Sequence, residues 1–304
     1  MRRPGHGPGM FAVIAIAIAI VVVSALFVGL SGRVQTNPVQ ARSTHNGTGE
    51  SAGQGTSGLF AIAAVRRQTA VWVARQVSQD AIVACDPDMC NALQTEGVAA
   101  QNLLTLQPSA SDPLGSDVVV ATAAVRSQFG SRLASVYAPT VMASFGAGKA
   151  RIDVRAVAPD GTAAYLAAVH SDQAARQNAG AQLADSARIT MPAAVARELT
   201  AGQVDSRLLI TLAALAARNP MQLLGFGGAA PGASRGIPLR SADIAAASNI
   251  GATELPLDLS FLQAQLPPYR PLLARVVGTG GHAVLHIDFG APSPLGLLGA
   301  RGIP

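Results

Sequence analysis

Residues 11–30, Phe-Ala-Val-Ile-Ala-Ile-Ala-Ile-Ala-Ile-Val-Val-Val-Ser-Ala-Leu-Phe-Val-Gly-Leu, contain no charged side chain. As a helix rising about 1.5 Å per residue, the run spans roughly 30 Å, the thickness of a bilayer's hydrocarbon core. Arg2 and Arg3 precede it, which by the positive-inside rule keeps residues 1–10 as a cytoplasmic tail and sends everything after residue 30 outside. A cleaved signal peptide has a shorter apolar region and a small-residue site after it. Here Val23-Ser24-Ala25 lies inside the run and no Ala-x-Ala follows. The expectation is therefore an uncleaved single-pass anchor at 11–30, with the C-terminus extracellular.

Residues 31–58 are rich in Gly, Ser, Thr and Asn without apolar period, and are expected to be a flexible linker. A random coil of that length reaches about 30 Å, enough to hold a folded part just off the membrane. Asn46-Gly47-Thr48 matches a glycosylation sequon and is read as chance. The formal net charge is +5, but Arg2, Arg3, Arg33 and Arg42 against Glu50 place +3 of it before residue 59. The rest has no Lys/Arg run and few aromatic residues, which argues against a nucleic-acid partner.

The stretch 59–158 reads as alternating helix and strand. Leu59–Gln79 is amphipathic, with Ile62, Val65, Trp72, Val73 and Val77 at near-helical spacing. Ala81–Cys85 is a short apolar strand, and Asp86-Pro87 supplies an N-cap with Pro at the first helical position. Further strands are expected at 102–106, 116–121, 141–145 and 151–157, with a helix over 122–135. Continuous apolar strands between helices predict a Rossmann-like, doubly wound parallel sheet. Ligands in such a sheet bind at the carboxyl ends of the strands, here Cys85-Asp86, Thr122 and Ser144-Phe145-Gly146. No G-x-G-x-x-G occurs there, and Gly146-Ala147-Gly148-Lys149 lacks a following helix, so it reads as a turn.

Cys85 and Cys90 are the two cysteines. An even count outside the membrane predicts a structural disulfide, tying a strand end to the next helix. A redox pair would more often be C-x-x-C; that reading and two packed thiols stay open.

The phrases Trp72, Ala81-Ile82-Val83-Ala84-Cys85-Asp86, Ser116–Thr122, Ala143–Gly148 and Arg151–Arg155 together resemble an extracytoplasmic tail. It is the soluble tail found on some actinobacterial membrane glycosyltransferases of the dolichyl-phosphate-mannose type. The catalytic membrane domain of those enzymes has no counterpart here. The resemblance implies a neighbourhood, cell-envelope polysaccharide, and transfers no site.

In 159–290, helices are expected at 162–185, with Tyr165, Leu166, Val169 and Leu183 inward, at 192–199, at 202–216, from about Ser241, and at 258–265. Pro267-Pro268 break the last of these before a further segment, 270–277. Strands are expected at 221–226 and 283–289, a Gly/Pro/Ser-rich loop at 227–238 and a tail at 291–304. The unit reads as a smaller α+β domain.

Three phrases there are similar to a zinc D,D-carboxypeptidase and dipeptidase superfamily: Val204-Asp205-x-Arg207-Leu208-Leu209, Ser234-x-Gly236-x-x-Leu239-x-Ser241-x-Asp243-Ile244, and His282-x-x-x-His286-Ile287-Asp288-Phe289. The resemblance places Asp243 and His286 at two metal-ligand positions. It also makes the site degenerate. Gly236 stands at the first histidine position, and Val284 and Leu285 occupy the region of the general base. A catalytic zinc needs three protein ligands and an open position; His282 is the one candidate third ligand. The expectation is a pseudo-enzyme without metal or cofactor.

Three functions follow as expectations. The first is a non-catalytic, membrane-anchored accessory or binding protein of envelope polysaccharide or peptidoglycan assembly, with a cell-wall polymer or a glycosyltransferase complex as partner. The second is a zinc-dependent peptidoglycan peptidase using Asp243, His286 and His282. The third is a solute-sensing receptor domain. Serine hydrolase chemistry has no G-x-S-x-G to support it.

Overall fold

The computed structural model describes residues 52–227, 230–247 and 254–299. The expected anchor at 11–30, and the linker up to residue 51, lie outside the described residues. Residues Glu50–Pro304 form one compact unit. Its described residues build a mixed α/β structure with two five-stranded sheets.

Helix α1 (Ala52–Gln76) begins seven residues before the expected start, so 52–58 are helical rather than linker. Its core face starts near Val65 and runs through Thr69, Ala70, Trp72, Val73 and Val77. Trp72 packs against Phe145 with ring centroids 6.2 Å apart. Strand β1 (Val83–Cys85) leads into α2 (Pro87–Thr95), where Asp86 accepts the Met89 N–H at 3.0 Å and Pro87 opens the helix as the sequence indicates. After β2 (Leu103–Thr105) and β3 (Val118–Ala121) comes α3 (Ala123–Phe129), which ends at Gly130. The helix expected to 135 is instead replaced over Leu133–Tyr137 by a wider π-type turn. Strands β4 (Thr140–Phe145) and β5 (Ile152–Ala156) finish the first sheet.

The order is β2-β1-β3-β5-β4. β1 pairs in parallel with β2 and β3, whereas β3–β5 and β4–β5 are antiparallel, so the sheet is mixed and not the parallel, Rossmann-like sheet expected. The reason lies in 146–151. Parallel neighbours need a crossover of a dozen or more residues, and the Gly146–Arg151 turn is too short to be anything but a hairpin. Both faces of the sheet are nonetheless covered. Val83, Val118, Val120 and Val154 face α1 and α2, while Ala84, Val119 and Ala121 face Val125, Phe129 and Leu133. Burial on both sides is why these strands read as continuous apolar runs.

The second half starts with α4 (Thr162–Ala184), β6 (Ile189–Thr190), α5 (Ala193–Thr200) and α6 (Ser206–Arg218). The inward face of α4 is Asp172, Ala175, Arg176, Ala179 and Leu183. Leu166 is exposed, and Tyr165 and Val169 are half-buried, because the first three turns run past the core that α5 and α6 provide. Strands β7 (Met221–Phe226) and β8 (Ser241–Ala246) precede α7 (Glu254–Gln263), β9 (Leu273–Val277) and β10 (Val284–Asp288). The helix expected from Ser241 is strand β8, and the segment after Pro267-Pro268 is strand β9. In β8, Ala242 and Ile244 are buried and Ser241, Asp243 and Ala245 are not, a period of two that outweighs alanine's helix preference once β7 and β10 flank it.

The second sheet has the order β6-β7-β8-β10-β9. Its inner face (Met221, Leu223, Ala242, Ile244, Leu285, Ile287) packs with Leu199, Leu208, Leu212 and Leu262 of the helices. The opposite face carries Asp243, His286 and Arg275 and is not buried.

Main-chain bonds join the two sheets' halves at two places. Ala291 donates to the Gln76 carbonyl at 2.6 Å, and Ser78 donates to the Ala291 carbonyl at 2.8 Å. At the free edge of β4, Ser144 donates to the Gly232 carbonyl (2.9 Å) and Ser234 to the Met142 carbonyl (2.8 Å), so the 230–234 loop covers that edge. At the first joint, a Cβ on Gly290 would stand 2.6 Å from both Cα and N of Ser78, atoms that cannot move aside. Gly290→Ala is therefore expected to destabilise the fold by at least about 2 kcal/mol, in the upper part of the overpacking range. Gly225→Ala, where a Cβ meets nothing within 4 Å, serves as the neutral control in the same denaturant titration.

Candidate functional site

The carboxyl ends of the first sheet's parallel strands are closed by their own side chains. Asp86, which caps α2, also accepts the hydroxyl of Thr122, and Thr122 caps α3 by accepting the Val125 N–H at 3.4 Å. Two helix N-termini thus satisfy their free donors through side chains bonded to each other. Cys85 and Cys90 form a disulfide with Cα atoms 5.4 Å apart, inside the window that a bridge permits. The bridge pins α2's first turn to β1, contributing about 2 kcal/mol on the chain-entropy account. Both cysteines are buried. Farther along this end, buried Asp153 accepts from Ser144 (2.7 Å) and Arg151 (2.7 Å). Gly146–Lys149 leads into a short 3₁₀ turn, Gly148–Ala150, rather than a longer helix, and so has no phosphate-loop geometry.

The candidate metal residues Asp243 and His286 do come together. They are direct register partners on β8 and β10, with His286 Nδ1 2.7 Å from Asp243 Oδ1. Arg275 of β9 is the partner of His286 on its other side, and Gly225 of β7 the partner of Asp243. The pair therefore lies in a row Gly225–Asp243–His286–Arg275 across the less buried face of the sheet. Gly236 lies in the loop before β8 with φ +85°, a left-handed conformation that suits glycine and offers no ligand. His282 lies exposed in the Gly280–His282 turn, while Val284 is half-buried and Leu285 points fully into the core. Among the described residues no three His, Cys, Asp or Glu side chains converge to hold a metal ion. As it stands, the pair is a hydrogen-bonded carboxylate–imidazole dyad with a cation beside it.

A buried cluster of charge lies elsewhere, at the joint between the sheets. Asp205 is wholly buried. It caps α6 by accepting the Arg207 N–H (2.8 Å) and takes the guanidinium of Arg207 through both oxygens (3.0 and 2.8 Å). Arg207 also donates to the Gly290 carbonyl at 2.7 Å, and its guanidinium lies 5.1 Å from the Phe289 ring. Arg240, also buried, donates to the main-chain carbonyl of Gln76 (3.1 Å) and to its side chain (3.2 Å), so a cation closes the C-terminus of α1. Nearby, Asp172 binds Arg176 (2.8 Å), the Ser206 hydroxyl (3.1 Å) and the Gly296 N–H (3.2 Å). Burial alone would raise the Asp205 carboxyl, but the charge and hydrogen bonds of Arg207 overcome it and hold the group below the usual range. Asp288 is raised by burial, only partly offset by Arg240 and His286, and burial lowers Arg240. The sequence showed Asp205 and Arg207 only as part of a phrase; the Asp-x-Arg spacing at a helix start was the available signal for a cap-and-clamp pair.

Around this joint the surface is hollowed. A groove of ≈ 350 Å³ is lined by Asp80, Asp117, Arg207 and Arg270, with Pro267, Pro268, Pro271, Pro292 and Pro294 on its walls. Arg207 is already engaged, which leaves the exposed Asp80, Asp117 and Arg270 as its open charges, Asp117 giving one oxygen to the Ile82 N–H at 2.8 Å and Arg270 using Nε on the Gln265 carbonyl at 3.0 Å. The arrangement suits binding of a polar ligand between a rigid proline rim and a charged floor. The chain matches no known protein-family model, no curated protein and no solved structure.

The Asp205 account has a pH signature. A depressed carboxyl stabilises the fold above its unfolded-state value, and that contribution vanishes as pH falls through the lower folded-state value. Asp205→Asn should cost about 3–5 kcal/mol at pH 7, where it strands a buried arginine. The gap from the unsubstituted chain should narrow in acid, below pH about 4, as measured by urea unfolding at both pH values.

Proposed function

We propose that this chain is a membrane-anchored, extracytoplasmic binding module without a reaction of its own, serving cell-envelope polysaccharide or peptidoglycan assembly. The observation that carries the reading is the groove at the joint, which places Asp80 and Arg270 on a proline-walled surface of ≈ 350 Å³. Charges of both signs, Asp80 and Asp117 against Arg270, and a rigid wall suit a polar polymer held by hydrogen bonds. The apolar run 11–30 and the linker after it support the location, and the resemblance of 72–155 to glycosyltransferase tails supports the neighbourhood. The Cys85–Cys90 bridge fits an oxidising compartment.

The peptidase reading has Asp243 and His286 in contact and a glycine where a third ligand belongs. Both side chains lie partly exposed on a sheet face, and two ligands fall short of a catalytic zinc site. The binding module is the better account.

Retention of the Glu50–Pro304 segment on purified cell-wall polysaccharide and on peptidoglycan tests it. Binding to one of them is expected, weakened at least about fivefold when Asp80 and Arg270 are both changed to alanine. Protease added to intact protoplasts should digest the globular part of the full chain. Retention by neither polymer would contradict the proposal. So would one zinc per chain together with stem-peptide cleavage that His286→Ala abolishes.

A further inference from the structure

A second groove, of ≈ 560 Å³, adjoins the first through Asp117 and Pro292 and differs from it in chemistry. Its walls come from the entry to β1, the loop before β3, the start of α4 and the segment after β10. Ile82 and Leu114, each 38% exposed, face it together with Tyr165 and Leu295. Large apolar side chains left open to solvent along one cleft mark a surface built for contact. Its volume falls within the range of small-molecule sites.

The charge on this groove has one sign. Asp117 and Asp160 line it, and among the described residues no lysine, arginine or histidine does. Asp117 gives one oxygen to the Ile82 N–H at 2.8 Å, which fixes its carboxylate and leaves the other oxygen available. Asp160 is exposed at the rim. Two arginines, Arg207 and Arg270, line the neighbouring groove, and Arg207 is directed at Asp205 and Gly290. An aliphatic wall beside two carboxylates complements a molecule with a cation at one end and hydrocarbon behind it. An anionic amphiphile would meet like charge, and a purely polar ligand would leave the apolar wall wet.

We propose that this groove binds a small cationic amphiphile, a primary amine or guanidinium carried on an aliphatic stem. The inference does not rest on the polymer-binding reading: Asp117 and Pro292 border both grooves, but the apolar wall of Ile82, Leu114, Tyr165 and Leu295 and the carboxylate of Asp160 belong to this one alone.

The test uses two probes with the same chain length and opposite charge, octylamine and octanoate, on the Glu50–Pro304 segment, which forms a compact unit by itself. Methyl NMR should show octylamine shifting Ile82, Leu114 and Leu295, with at least about tenfold preference over octanoate at low salt. Asp160→Asn should weaken octylamine about fivefold, and Leu114→Lys should abolish the preference, while Asp80→Asn leaves it unchanged. Because residues 300–304 include Arg301 and Ile303, the titration is repeated on a chain ending at Gly299. Amine-selective shifts in either form support the site. Equal response to the two probes, or no response in both forms, would overturn it.

Discussion

The Asp205–Arg207 pair lies where the two sheets meet, and both depend on it. Removing two ions from water costs several kcal/mol each, so such a pair holds only when every donor and lone pair is used. Here Asp205 caps a helix and takes a two-pronged guanidinium, while Arg207 reaches on to Gly290 and lies against Phe289. Gly290 in turn sits against Ser78, and the residue after it, Ala291, exchanges main-chain bonds with Gln76 and Ser78. Arg240 then closes the end of α1 on the same Gln76. A helix of the first half is thereby terminated by one side chain, Arg240, and the main chain of Ala291, both from the second.

This explains why the grooves occur where they do. The connections that meet at the joint, residues 78–82 and 116–117 and the proline-rich 267–272 and 290–295, lie outside the helices and named strands, so they leave hollows where regular elements do not pack. The positions that the strand–helix pattern marks for ligands are, by contrast, filled. Asp86 and Thr122 cap two helices and are hydrogen-bonded to each other, and the disulfide locks the turn from β1 into α2. Asp243 and His286 meet on an exposed sheet face, where a ligand would find a dyad and no enclosure.

Local chemistry was readable in the sequence and non-local chemistry was not. The strand before Cys85, the Asp86 cap and the Pro87 helix start are set within a few residues, and they stand as expected. Contact between Asp243 and His286 followed only from a resemblance in spacing; the structure supplies its cause, a register pairing of β8 with β10. Strand β8 itself was hidden, because Ser-Ala-Asp-Ile-Ala-Ala favours a helix until two neighbouring strands recruit it. The direction of β5 depended on the length of one turn, which a strand-by-strand reading passes over. The joint was the least visible feature, since Arg207 finds Gly290 83 residues away and Arg240 finds Gln76 across 164.

The central claim is that the charged joint makes the two sheets a single cooperative body. Its most direct measurement is equilibrium unfolding of the Glu50–Pro304 segment followed by two local probes. Trp72, the only tryptophan, reports the first half by fluorescence, and amide exchange along β10 reports the second. The account predicts one coincident transition, separating into two when Arg240 is changed to alanine. Two separate transitions in the unaltered segment would contradict it.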